Sequence, residues 1–281
     1  MSLQEKVDCV VLAGAPADDA TREQYGVQWR SDVPIAGRPM LHWLLDALKA
    51  SGSIGELVVV GVGEYPGCRF LAPGETFFGN FIRGIDALEG SETILVASSD
   101  IPLVTGEAVS DFVHEGLALK ADLVYPIIRK DLCISKYPQF KRTCLSLGEG
   151  TFTGGNMTLV RRSFAIKCQD RIEALYQARK KPLKLAGMIG FGILIRVVLA
   201  QKVWPGFVSV PAIERAGERL VGGRLRALDC RWPEVGEDLD DIRDYLAAAE
   251  LLPLARENIS PGSDMPAKPT GHGTASGRNS L

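Results

Sequence analysis

The strongest constraint on this chain is an alternation. Short apolar runs at residues 7–13 (VDCVVLA), 57–60 (LVVV), 93–97 (TILVA) and 122–125 (DLVY) are separated by stretches whose apolar residues fall at helical spacing. Runs of this length that lack a polar face are strands covered on both sides, as parallel strands are. Between the first two, Pro39 opens a helical pattern through Leu41, Leu44, Leu45 and Leu48, with proline in the first turn, where its missing N–H costs nothing. Residues 77–88 and 107–119 read as two more helices. Strand and helix in turn predict an α/β fold: a Rossmann-like, mainly parallel sheet with helices on both faces.

After residue 140 the rhythm changes. Residues 141–147 and 156–160 read as strands around a glycine-rich loop at 148–155. Helical patterns follow at 161–181, 185–201 and 211–221, then a last strand at 224–228 and a helix at 241–252. The apolar stretch 185–200 is shorter than the roughly 20 residues a membrane span needs, and Arg196 interrupts it. It reads as a buried or partner-facing helix. From about Ser260 the chain turns to Pro, Gly, Ser and Thr, which predicts one domain over residues 1–258 and a disordered tail over 259–281.

The chain has 281 residues and a net charge of −2, which argues against general nucleic-acid binding. Its six cysteines form no CxxC pair, so a zinc site is not expected. The polar N-terminus has no apolar leader, and scattered thiols fit a reduced, cytoplasmic protein. Oligomeric state is not legible.

In open α/β sheets ligands sit beyond the carboxyl ends of the strands. Three features fall there. Leu12, Ala13, Gly14 and Ala15 follow the first strand, and small residues let backbone amides approach phosphates, although a glycine after a strand is also an ordinary turn. Arg30, ahead of the rigid PIAGRPM turn, is placed to meet a triphosphate, or else is a solvated surface charge. Ser98, Ser99 and Asp100 close the third run, and Pro102 stops the strand. That sets a carboxylate at the sheet rim, for a metal or for capping the next turn. Glu237, Asp238, Asp240, Asp241 and Asp244 cluster before the last helix. They complement its dipole or suit a hard cation, since Mg²⁺ takes one or two carboxylates plus substrate phosphates.

The ordered strings LAGA, PIAGRPMLHWLLDAL, SSDIPLV, FTGGN and DLDDIRDY resemble the MobA-like NTP transferase family over about residues 7–252. The resemblance implies a nucleotide-diphospho-sugar transferase (GT-A-like) fold. It implies an NTP bound over the first loop and Mg²⁺ held by Asp100 and Asp240, with Asp238 beside them and Asp244 structural. Arg30 stands where that family carries a lysine, and residues 16–28 form a longer, acidic, glycine-poor loop. Gly154, Gly155 and Asn156 resemble the family's acceptor-side turn, or form a hairpin turn. Arg129, Lys130, Lys136, Lys141 and Arg142 bind an acceptor phosphate or make a solvated face. Asn80, near a helix start, contacts base or ribose. The expected activity is transfer of NMP from an NTP to a small phosphorylated acceptor, with release of pyrophosphate. Neither nucleic acid nor membrane is an expected partner. The rival readings are a glycosyltransferase that uses Asp238-Leu239-Asp240 on a sugar nucleotide, and a non-catalytic nucleotide binder.

Overall fold

A computed structural model describes residues 6–178, 197 and 199–253. The chain opens with β1 (Val7–Leu12), whose residues are almost all buried. The acidic stretch after it holds a short helix, α1 (Asp19–Tyr25), where the sequence read as a loop. Asp18 caps it by accepting from the Thr21 amide at 2.8 Å, and Gly26 ends it in the left-handed region. A two-strand ladder, β2 (Pro34–Ile35) and β3 (Arg38–Pro39), then leads into α2 (Met40–Ala50). β4 (Ile54–Val60), β5 (Arg69–Leu71), α3 (Phe77–Asp86), β6 (Thr93–Ser98) and α4 (Gly106–Ala118) follow. This half keeps the predicted alternation.

The second half supplies β7 (Leu123–Arg129), α5 (Lys130–Lys136), β8 (Leu145–Leu147), β9 (Gly150–Gly154) and β10 (Met157–Arg161). Helices α6 (Arg162–Lys167) and α7 (Gln169–Ala178) divide the single helix expected over 161–181. α8 (Val210–Val221), β11 (Leu225–Asp229) and α9 (Ile242–Leu251) complete the described chain. The helix read at 185–201 falls largely outside the described residues, and the tail read at 259–281 lies wholly outside them.

One sheet gathers nine strands in the order β5-β4-β1-β6-β10-β7-β9-β8, with β11 on β7. β1 runs parallel to both β4 and β6, and β4 to β5. β10 is inserted antiparallel between β6 and β7, so the sheet is mixed. The Gly154-Gly155-Asn156 segment is therefore not a hairpin turn: β9 and β10 both pair antiparallel with β7, one on each side of it. Two apolar layers cover the sheet. One face packs Val11, Leu95 and Val124 against α2 and α4, including Leu44 and Phe112. The other packs Val10, Val58 and Val96 against Ile85 of α3 and Phe164 of α6. No helix among the described residues is long and apolar enough to cross a membrane.

Candidate active site

A cleft of about 320 Å³ opens at the carboxyl ends of β1 and β6. Leu12, Gly14, Ala15, Arg30, Asn80, Ser98, Ser99 and Asp100 line it, so most of the residues singled out for nucleotide binding come together there. Ala13 does not. It is fully buried and its amide donates to the Val60 carbonyl at 2.9 Å, which removes that donor from any phosphate cradle. Gly14 has a steric reason to be glycine: a Cβ there would meet Pro73 at 2.6 Å and Asn80 Nδ2 at 2.9 Å. Asn80 is buried, and its Oδ1 accepts from the Gly74 amide at 2.6 Å, which fixes the carboxamide over the loop.

Thr76 and Phe77, at the start of α3, also line the cleft. Thr76 caps the helix by accepting from the Gly79 amide at 3.0 Å. A helix N-terminus carries partial positive charge and favours an anion. Phe77 stacks on Tyr176 of α7, with centroids 4.6 Å apart and an interplanar angle of 8°. No sequence signal marks this pair, because nothing in the pattern of α7 connects position 176 to position 77.

Arg30 reaches the site from a tightly held turn. Its amide donates to the Ala15 carbonyl at 3.0 Å, and Ala17 N–H donates to the Gln28 carbonyl at 2.9 Å, so the ends of the α1 excursion are clamped together. Arg30 Nη2 lies 3.4 Å from Asp100 Oδ2 and 3.0 Å from Asp240 Oδ1. Both carboxylates thus meet at one guanidinium nitrogen. Asp100 is held in place through its backbone, whose carbonyl accepts from Leu239 N–H at 2.9 Å. Its Oδ1 is buried and has no hydrogen-bond partner. Burial pushes the Asp100 carboxyl above its ordinary value, against the pull of Arg30.

Asp238 points elsewhere. Its carboxylate pairs with Arg142, which also holds Glu237 and donates to the Asp238 carbonyl at 3.1 Å. The two aspartates of Asp238-Leu239-Asp240 therefore serve different arginines. Glu237 is fully buried, and burial raises its carboxyl despite Arg142. The equally buried Glu234 pairs with Lys136 at 2.8 Å. Of the basic residues grouped in sequence, Arg129 pairs with Asp229 at 3.1 Å, while Lys130 and Lys141 stay exposed. Arg142 and Lys136 thus anchor the acidic segment. Asp244 accepts from the Asp240 amide at 3.1 Å, and Asp241 caps α9. Asn156 is tied through its backbone: its N–H donates to the Val235 carbonyl at 2.9 Å, and its carbonyl accepts from Ser98 N–H at 3.0 Å.

Among the described residues no three His, Cys, Asp or Glu side chains form a metal cage. Two carboxylates at a shared point, one with an unpartnered buried oxygen, fit a cation that takes its remaining ligands from substrate phosphates and water.

The cleft thus lies at parallel strand ends in an α/β protein, lined by a small-residue loop, a helix N-terminus and a buried carboxylate. The model of the MobA-like NTP transferase domain matches residues 9–185, and the chain belongs to that family of nucleotidyltransferases. A hypothetical transferase from Thermus thermophilus is 36% identical over 85% of this chain and 99% of its own, with a TM-score of 0.74. A 4-diphosphocytidyl-2C-methyl-D-erythritol synthase from Anaerococcus prevotii (11% identity, 88% and 98% coverage, TM-score 0.52) shares the fold. So does a nucleotidyl transferase from Methanothermobacter (13% identity, 88% and 97% coverage, TM-score 0.50). The fold is that of the nucleotide-diphospho-sugar transferases. No curated protein matches the chain.

Proposed function

We propose that this protein transfers NMP from an NTP to a small phosphorylated acceptor and releases pyrophosphate. The observation that carries the reading is Asp100, whose buried Oδ1 has no partner although it stands beside Arg30 in the cleft. An unmet buried acceptor costs stability, and a Mg²⁺ ion with its phosphates would satisfy it. Asp100 and Asp240 would hold that ion. Bound there, it would offset the charge that builds on the phosphate oxygens.

The chain's own groups do the rest. The Gly14 and Ala15 backbone and the α3 N-terminus receive the triphosphate. Phe77 and Tyr176 offer a stacked aromatic surface beside it. Arg30 would turn its charge to the β- and γ-phosphates and stabilise the departing pyrophosphate, while Asp100 and Asp240 would hold the cation. An acceptor phosphate oxygen then attacks the α-phosphorus in line. No protein nucleophile is required, since positioning and electrostatics carry such transfers.

Pyrophosphate release from each common NTP, with and without Mg²⁺, over a panel of phosphomonoesters tests the proposal. A non-catalytic nucleotide binder is the second reading, and the guanidinium lodged between Asp100 and Asp240 supports it. If Mg²⁺ binding to the NTP-loaded protein is unaffected by Asp100→Asn, the metal role of Asp100 fails and the second reading stands.

A further inference from the structure

A second cavity, of about 410 Å³, is larger than the nucleotide cleft and lies between the sheet and α8. Its walls include Leu123, Tyr125 and Ile127 of β7, Leu145 and Leu147 of β8, and Ile213 of α8. The charged side chains that reach it are already engaged. Glu214 accepts from the Ala227 amide at 2.8 Å, and Arg226 bonds Glu218 at 2.6 Å. Thr153 Oγ1 donates to the Thr143 carbonyl at 3.1 Å. An apolar guest thus meets no unspent charge there.

The cavity is not remote from the chemistry. Thr153 and Gly154 line it, and Gly154 begins the segment whose sequence resembles the family's acceptor-side turn. The Tyr125 hydroxyl lies so close to Gly154 that a Cβ at that position would collide with it. The Tyr125 hydroxyl also feels Asp238: burial, and then that carboxylate, raise its pKa. Two residues beyond Gly154, the Asn156 N–H donates to the Val235 carbonyl at 2.9 Å and its carbonyl accepts from Ser98 N–H at 3.0 Å, so the cavity mouth adjoins both the cleft and the chain leading into the acidic segment. Val203, Trp204 and Phe207, all exposed, stand in the stretch leading to Val208, which is buried against Leu147 and Phe152.

We infer that the acceptor is an amphiphilic phosphomonoester, whose apolar group fills this cavity while its phosphate stands at the Gly154–Asn156 turn. The inference rests on the nucleotidyl-transfer reading. In the reaction an acceptor phosphate oxygen forms the bond to the NTP α-phosphorus, and the bond from that phosphorus to the β-phosphate oxygen breaks. Pyrophosphate leaves with the electron pair, and the product is a nucleoside diphosphate ester of the apolar group.

The test is a series of n-alkyl phosphates from methyl to decyl, read both as kcat/KM for pyrophosphate release and as calorimetric affinity without NTP. Each methylene that enters the cavity is expected to add about fourfold to affinity, until the cavity is full. Ile213→Trp should end the rise at a shorter chain and Ile213→Ala at a longer one, a gain that a misfolded protein cannot show. The Mg–NTP thermal shift reports that each variant is folded. A lipid phosphomonoester in phosphatidylcholine vesicles, run beside octyl phosphate, separates a membrane source of acceptor from a dissolved one. If methyl and octyl phosphate are used equally well and neither Ile213 variant changes this, the inference is overturned while nucleotidyl transfer stands. If no alkyl phosphate binds, the inference falls as well. If affinity climbs with chain length but no NTP yields pyrophosphate, the cavity keeps its ligand and the transfer reading fails.

Discussion

Asp100 concentrates the tension of this site. Its carboxyl is raised by burial although Arg30 stands 3.4 Å away. A carboxyl whose folded pKa is raised binds its proton more tightly in the folded state, so the charged form costs stability as pH climbs past the unfolded value. Asp100→Asn is therefore expected to raise the melting temperature at neutral pH without metal, while it lowers the transfer rate on the order of 10²–10³-fold. Calorimetry and pyrophosphate assays read the two effects separately. For the same reason metal-dependent NTP binding should weaken as pH falls through the raised Asp100 value, earlier than an ordinary carboxylate would require. That pH dependence should vanish in the Asn variant. Arg30→Ala should raise KM for NTP, and Arg30→Lys should be milder because the charge remains, though lysine lacks the planar guanidinium that suits phosphate oxygens.

At the scale of elements, the acidic segment before α9 is held by Lys136 of α5 and by Arg142 in the loop after it. Arg142 meets two carboxylates and Lys136 a third, and both Glu234 and Glu237 are fully buried. Removing one partner of a buried pair strands the other charge, so Arg142→Ala should cost about 3–5 kcal/mol by denaturant unfolding. Replacing both Arg142 and Glu237 with apolar residues should restore part of that loss. None of this clamp was legible beforehand, because its partners lie 95 positions apart and the basic residues read as a phosphate patch. What the sequence did reveal were elements with a strong period: β1, β4, β6 and α2 fall where their apolar spacing puts them. β9 was taken for a loop because Gly148, Gly150, Gly154 and Gly155 surround it, yet its ladder partners on β7 and β8 decide its conformation. α1 was missed because an acidic, polar run carries no apolar stripe, and only its Asp18 and Gly26 caps mark it. The strand-end aspartate and the small-residue loop were legible as neighbours because each directly follows an apolar strand of the parallel sheet, and both line one cleft. The aromatic pair Phe77–Tyr176 was not, since stacking across 99 residues leaves no local pattern.

For the whole molecule, a nucleotide that closes the cleft should stabilise every layer around it. An NTP at about 100 times its Kd with Mg²⁺ should add roughly 2.7 kcal/mol, read as a rise in melting temperature that Asp100→Asn reduces. The inserted β10 pairs with both β6 and β7 and so joins the two halves into one sheet, and this shift should come as a single cooperative transition. The long reach of Arg30 to Asp240 has a further consequence in the cell. The two lie 210 positions apart, which a ribosome adding about 5–20 residues per second covers in roughly 10–40 s. For the last two thirds of that interval the emerging polypeptide carries Arg30 and Asp100 but lacks the segment that bears Asp240. Under the transfer reading proposed above, a half-made chain is unable to turn over NTP, and activity switches on only when synthesis is nearly finished.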